Sequence, residues 1–399
     1  MNFSKRTFFI LAAYFFIVFA VLFALLERPK IIGHSYEENL SPEIANVKEY
    51  PLETIKEIPE QDLSPDFSEI TLLQGHIYGI ASADVDNDNL LDIAVADYNS
   101  NNFLFLNDKG FVQARNFGSG NSNVLLWSDF DNDGFSDLAV GRYEGQNSLY
   151  VNKQNNIFEE YKLFGNHYTQ ALSSADFDGN GFVDLFVGTD GYNYIYFNEG
   201  DLKFTEMILP GGKLHTTASS IADFDDDGNL DIAIGTDFQK NYIYYNDEKG
   251  NFTLSPLMIE KLHTKSIISC DLNNDKMPDL FIGNNDQSNY IFVNQGEGDF
   301  LPLKQANSYY TYAVDCADLN NDGLKDIILG NYNQESKILF NKGNFQFEEL
   351  NYFGIGYVRD IEVADIDGNG KNDVLIARDI TSDVENIAYK TLTQVYLQK

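Results

Sequence analysis

From residue 66 to the C-terminus the chain repeats one order of polar and apolar positions. A half-apolar stretch such as Ala218-Ser-Ser-Ile-Ala222 leads into an acidic run, and the unbroken apolar stretch Leu230-Asp-Ile-Ala-Ile-Gly235 follows it. After a polar turn comes Tyr242-Ile-Tyr-Tyr-Asn246, and after Asp247-Glu-Lys-Gly250 comes Asn251-Phe252-Thr-Leu. Short runs rich in β-branched and aromatic residues, bounded by Gly, Asn and Asp, predict strands. Each repeat therefore holds four strands, and no stretch after residue 66 keeps a helical period.

The acidic run recurs seven times, beginning at Asp84, Asp129, Asp176, Asp223, Asp271, Asp318 and Asp365, with steps of 45, 47, 47, 48, 47 and 47 residues. A fixed period of this length marks a solenoid or a propeller. Four antiparallel strands repeated seven times predict an all-β, seven-bladed β-propeller, whose radial closure protects sheet edges. The chain ends point the same way. A Phe opens the last strand of a repeat 18 or 19 residues before the next acidic run, as Phe111, Phe158, Phe204, Phe252, Phe300 and Phe347 do. Phe67 stands 17 residues before Asp84, yet no repeat precedes it, and the chain stops after the third-strand sequence Gln394-Val-Tyr-Leu397. The N-terminal strand is thus expected to complete the last blade.

Before residue 66 the pattern differs. Residues 1–6 form a basic stub with Lys5 and Arg6, and Thr7 to Leu26 is a 20-residue apolar run. That length crosses the hydrocarbon core of a bilayer as one helix, and no small-x-small cleavage site follows it. The reading is a signal anchor over 7–26, with the stub in the cytoplasm and the rest outside it, in the periplasm or at the cell surface. Residues 27–65, with five prolines and many Glu, read as an extended acidic tether, and 66–399 as the propeller.

The acidic runs carry candidate chemistry at loop positions 1, 3, 5 and 9. These are Asp84, Asp86, Asp88 and Asp92; Asp129, Asp131, Asp133 and Asp137; Asp176, Asp178, Asn180 and Asp184; and Asp223, Asp225, Asp227 and Asp231. The later three loops hold Asp271, Asn273, Asp275 and Asp279; Asp318, Asn320, Asp322 and Asp326; and Asp365, Asp367, Asn369 and Asp373. Alternating oxygen ligands around a sharp turn suit Ca²⁺, and Gly at position 6 in five of the seven loops supplies the turn. Up to seven structural Ca²⁺ ions are expected. Loop 271–279 is expected to bind weakest, because Lys276 replaces the Gly. An EF-hand is excluded by the missing Glu at position 12 and by strand-like flanks.

A formal charge of −34 argues against nucleic acid as a partner. Cys270 and Cys316, the only cysteines, read as small buried hydrophobes rather than a disulfide framework. No serine-hydrolase, zinc-protease or phosphate-loop motif is present, so no catalytic residue is assigned.

The run Asp129-Phe-Asp131-Asn-Asp133-Gly-Phe-Ser-Asp137-Leu-Ala-Val-Gly141, with the Phe-Gly pairs Phe117-Gly118, Phe164-Gly165 and Phe353-Gly354, resembles the FG-GAP repeats of the integrin α-subunit propeller and the related VCBS repeats. The resemblance covers 66–399 and implies fold and calcium sites rather than one activity, since relatives include adhesion receptors, lectins and polysaccharide-active enzymes.

Eight residues before each first Asp stand His76, Asn121, Tyr168, His215, His263, Tyr310 and Tyr357, with Tyr78, Tyr312 and Arg359 two residues further on. In such a propeller this segment lies on the face opposite the calcium loops. His76, Tyr168, His215, His263, Tyr310, Tyr357 and Arg359 are therefore candidate ligand-binding residues around a central channel. Imidazoles titrate near about pH 6.5, so binding is expected to change between about pH 5 and pH 8. The functional expectation is a binding or adhesion module for protein or glycan. The alternatives are a lyase-like carbohydrate-active enzyme and a scaffold subunit of an envelope complex.

Overall fold

The computed structural model describes residues 48–50, 65–118, 120–154, 157–161, 165–380 and 390–399. Every regular element among them is a β-strand. None is a helix long and apolar enough to cross a membrane, and the expected anchor over 7–26 lies outside the described residues.

The fourth repeat shows the unit. Strands Leu214–Ala222, Asp231–Gln239, Tyr242–Asn246 and Phe252–Pro256 pair antiparallel in chain order. The second strand of a unit is buried at every position in Asp92–Asp97 and Asp137–Arg142, so it reads as an unbroken apolar run rather than an alternating one. In the later repeats the strands merge. Asp279–Asn294 carries the second and third strands of the fifth unit, and Phe300–Ala317 runs from the fourth strand of the fifth unit into the first strand of the sixth. Lys48–Tyr50, within the expected tether, adds a short parallel strand along Leu303–Gln305.

The seventh unit takes its fourth strand from the other end of the chain. Phe67–Gly75 pairs antiparallel with Lys390–Gln398, from Phe67 opposite Gln398 to Gly75 opposite Thr391. The core lies between units. Phe130, Leu149 and Val151 pack with Leu185, Val187 and Tyr194 of the next repeat. In the same way Ile77, Ile93, Val95 and Phe105 of the first unit pack with Ile366, Leu375 and Val395 of the seventh.

First strands are linked from unit to unit. Trp127 Nε1 donates to Ala81 O at 3.1 Å, Asn123 Nδ2 to Thr169 O at 3.1 Å, and the Ser173 and Ser219 hydroxyls lie 2.7 Å apart. Thr217 Oγ1 donates to Thr264 O at 2.8 Å, Val314 N to Ser266 Oγ at 3.2 Å, and Val363 N to Asp315 Oδ2 at 2.7 Å. Between the seventh and first units, Ile80 N donates to Asp360 Oδ2 at 3.0 Å and Ser82 N to Glu362 Oε2 at 2.9 Å. Burial pushes these two carboxyls up, Asp360 to about 7 and Glu362 to about 8. The close spacing explains the glycine that ends the Leu-Ala-Val-Gly motif. A Cβ on Gly235 would lie 2.6 Å from Thr264 Cγ2 of the next first strand, nearer than side-chain carbons approach.

The expectation of two unpaired cysteines is corrected. Cys270 and Cys316 form a disulfide between the first strands of the fifth and sixth units. Their separation of 46 residues is nearly one repeat, which places them side by side on neighbouring strands. That signal was present in the spacing. Alkylation of the denatured, unreduced protein is expected to label no cysteine, whereas two labels after denaturation alone would refute the bridge. Reduction is expected to lower stability by about 2–4 kcal/mol through a freer unfolded chain.

Candidate functional site: acidic loops and a cavity

The acidic loops are built by carboxylates that organise their own backbone. In the fourth loop Asp223 accepts from Asp227 N at 3.1 Å and Gly228 N at 2.9 Å, and Asp227 Oδ1 accepts from Asn229 N at 2.8 Å. Position 9 is a buried clamp. Asp231 Oδ2 accepts from Phe224 N at 2.9 Å and its Oδ1 from Asn246 N at 2.8 Å, tying loop, second strand and third strand together. The Asn246 amide then donates to Phe177 O of the preceding loop at 2.9 Å, and Asn107 of the first unit likewise reaches Ile366 O of the seventh at 2.8 Å.

Two loop residues, not one, take a left-handed backbone. Position 6 does so as expected, including Lys276 at φ 74° and Asn89 at φ 69°. Position 4 does so too, as Asn87, Asn132, Gly179, Asp226, Asn274, Asn321 and Gly368. Asn, Asp and Gly are the residues that tolerate this region, so the composition of position 4 carries the signal in the sequence.

Five loops bring the carboxylates of positions 1, 3 and 9 within 4.8 Å of one another: Asp84, Asp86 and Asp92; Asp129, Asp131 and Asp137; Asp176, Asp178 and Asp184; Asp223, Asp225 and Asp231; Asp365, Asp367 and Asp373. Burial pushes the position 9 carboxyls up, Asp137 and Asp231 to about 7. Asp131 Oδ1 and Asp225 Oδ1 are buried without a hydrogen-bond partner among the described residues. Crowded, desolvated carboxylates with unpartnered oxygens fit a hard divalent cation. Loops five and six differ. Their position 3 is Asn, and its amide donates to the position 5 carboxylate, Asn273 Nδ2 to Asp275 Oδ2 at 2.8 Å and Asn320 Nδ2 to Asp322 Oδ2 at 3.0 Å. The disulfide joins the two strands that enter these same loops.

Away from the loops, every first strand carries a β-bulge at one repeat position. Pairing skips one residue between Ile77 and Gly79, Ser122 and Val124, Thr169 and Ala171, and Thr216 and Ala218. It does so again between Thr264 and Ser266, Thr311 and Ala313, and Val358 and Asp360. The skipped residues are Tyr78, Asn123, Gln170, Thr217, Lys265, Tyr312 and Arg359, each six before a first loop Asp. All seven line one cavity of about 380 Å³. A bulge re-aims the side chain of its extra residue, which is how seven strands deliver one residue each to one space.

The residues eight before each loop stand elsewhere, Tyr357 excepted, which does line the cavity. His215 Nδ1 lies 3.0 Å from Asp190 Oδ1, and His263 Nε2 lies 2.8 Å from Asp237 Oδ1 with its ring stacked on Phe238. The Tyr310 hydroxyl pairs with Asp286, which raises its pKa. His76 N donates to Asp97 Oδ2 at 3.3 Å, and Tyr168 is exposed. The partners Asp97, Asp190 and Asp237 lie at or near the ends of second strands, and Asp286 lies within the merged strand Asp279–Asn294. Among the described residues no histidine lines the cavity, and the imidazole nearest to it in the network is His263, joined through Asp237 to the lining Lys265.

Tyrosines continue the cavity lip as an arc. The Arg359 guanidinium sits 3.6 Å from the Tyr357 ring centre and 4.3 Å from that of Tyr78, and its Nη1 donates to Tyr357 Oη at 2.8 Å. Tyr332 packs on Tyr357 at 4.5 Å, and Tyr78 stacks on Tyr98 at 4.8 Å. Tyr98 meets Tyr143 at 6.5 Å, and Tyr143 meets Tyr168 at 5.4 Å. Lys265 Nζ bridges Asp237 at 3.0 Å and faces the Tyr312 ring at 5.8 Å.

The family described as FG-GAP-like repeat matches at residues 129–182, 176–234, 271–329 and 318–376, in all 212 of the 399 residues. Among solved structures the fold is similar to crystal structures of BBS1N in complex with ARL6DN, one soaked with lead and one with mercury. Each has 12% identity and a TM-score of 0.58, and the match covers 84% of this chain and 97% of that one. No curated protein sequence matches the chain.

Proposed function

The chain belongs to the FG-GAP-like repeat family, and from that premise we propose that it is a closed seven-bladed β-propeller, tethered to a membrane outside the cytoplasm, that holds calcium structurally and binds a partner on the face away from the calcium loops. The observation that carries the binding function is the convergence of seven bulged residues, one per repeat, on one cavity. Bulges at the same repeat position interrupt all seven first strands, and the residues they re-aim differ in chemistry from unit to unit. That variety suits recognition better than uniform packing.

The cyclic order of first-strand contacts, from Ala81 round to Asp360 and Ile80, and the pairing of Phe67–Gly75 with Lys390–Gln398 support closure. Disulfides persist in oxidising compartments, so the Cys270–Cys316 bridge supports a location outside the cytoplasm. The apolar run Thr7–Leu26 supports the tether. The structural relative BBS1N was crystallised with a protein partner, ARL6DN, which fits a binding module.

The test is binding of the full-length protein, in calcium, to arrays of glycans and peptides. The double variant Gln170→Ala/Tyr312→Ala is expected to lose at least about tenfold in affinity, equal to about 1.4 kcal/mol, while keeping the wild-type melting curve. A folded double variant that binds as the wild type does would place the partner site elsewhere, and a wild-type protein that binds nothing on either array would end the reading.

A further inference from the structure

Resting on the binding function proposed above, we infer that the cavity and its tyrosine arc take a carboxylate-bearing saccharide, with the sugar ring against phenol faces and its carboxylate at Lys265 and Arg359. Three observations carry this. The first is charge. In a chain with 61 acidic and 27 basic residues, the seven bulged positions hold two basic side chains and no acidic one. Among the described lining residues the one carboxylate, Asp360, is directed into backbone amides, with Ile80 N at 3.0 Å and Ile361 N at 3.0 Å, and Asp237, outside the lining, pairs with Lys265 Nζ at 3.0 Å, so a sugar carboxylate would share that ammonium with it.

The second is shape. Flat aromatic faces with polar tips suit saccharides, because the ring covers sugar C–H groups while hydroxyls stay hydrogen-bonded. Tyrosines continue from Tyr332 through Tyr78 to Tyr168 around the lip, and the amides of Asn123 and Gln170, which both donate and accept, complete the wall. A cavity of about 380 Å³ is of the size that holds a small ligand.

The third is the setting of the cations. Stacking between Tyr78 and Tyr357 fixes the Arg359 plane, and a fixed guanidinium recognises carboxylate geometry better than a mobile one. The chain carries a formal charge of −34, so a long polyanion laid across the surface would be repelled. A single terminal acidic sugar seated in the cavity meets the two cations with the least exposure to that field.

Calorimetric titration of the full-length protein in calcium, with galacturonate, trigalacturonate, glucuronate, galactose and a glutamate-rich peptide as probes, tests this. At least one uronate should bind at least tenfold more tightly than galactose. Lys265→Met and Arg359→Gln should each weaken uronate binding at least tenfold and leave galactose binding unchanged. Tighter binding of trigalacturonate than of monomer assigns a chain end, and equal binding assigns the free acid sugar; both support the inference. Should Arg359→Gln lower the melting temperature, Lys265→Met alone decides. Absence of uronate binding, equal affinity for galactose, indifference to Lys265→Met, or tighter binding of the peptide each overturns the inference. If partners on the arrays still depend on Gln170 and Tyr312 in those cases, the binding function stands and only the ligand class fails.

Discussion

Chelation of calcium is expected to lower the melting temperature of the full-length protein by about 10 °C or more. Five loops hold three carboxylates each within 4.8 Å, and without a cation those charges oppose the compact state. A ligand that binds only the folded protein stabilises it by about 2.7 kcal/mol per site at a hundredfold excess over Kd. For domains of 150–250 residues each kcal/mol is worth about 2–4 °C, and five sites exceed the expected change even at lower occupancy. Metal analysis after dialysis should return about five ions rather than seven, since Asn273 and Asn320 stand where the other five loops place the position 3 carboxylate of the clustered set. Asp225→Ala should therefore lower the melt far more than Asn273→Ala. An unchanged melt in EDTA would remove calcium from the account of this fold, and seven tightly held ions would refute the distinction between loops.

Removal of residues 67–75 is expected to leave the protein aggregated or unfolded, whereas removal of 30–46 should leave the melt unchanged. The strand Phe67–Gly75 covers Lys390–Gln398 along its length. Its Phe67 ring packs on Tyr352 at 5.4 Å, Phe353 at 6.3 Å and Tyr396 at 6.4 Å, and Lys399 N donates to Asp66 O at 2.8 Å. Without it the third strand of the seventh unit becomes an unpaired edge, which recruits other chains. The first unit also loses part of its support, since Ile70, Leu72 and Leu73 pack against the cluster it shares with the seventh. A synthetic peptide of residues 65–76 added in trans should restore part of the folded signal. A shortened protein that melts and sediments as the intact one does would show that the seventh unit stands without this strand.

The sequence by itself determined the repeat and the local chemistry of each loop. Side chains at positions 1 and 5 bond to amides four, five and two residues away, so local spacing sufficed to read them. The pairing of the chain ends was legible by counting strands from Phe67 and Gln394. What only the tertiary structure decided depends on contacts between strands and loops that local spacing does not pair. The burial of Asp231 beneath Asn246 and Phe224 and the bridge from Cys270 to Cys316 arise where separate segments meet. The bulge is the clearest case. Repeat phase placed His215 and Thr217 equally near the channel, but one skipped pairing at Thr217 turns that position into the cavity and leaves His215 beside Asp190. Periodicity records which residues are equivalent. It does not record where a strand's hydrogen-bond register slips, because that is set by the strand it pairs with.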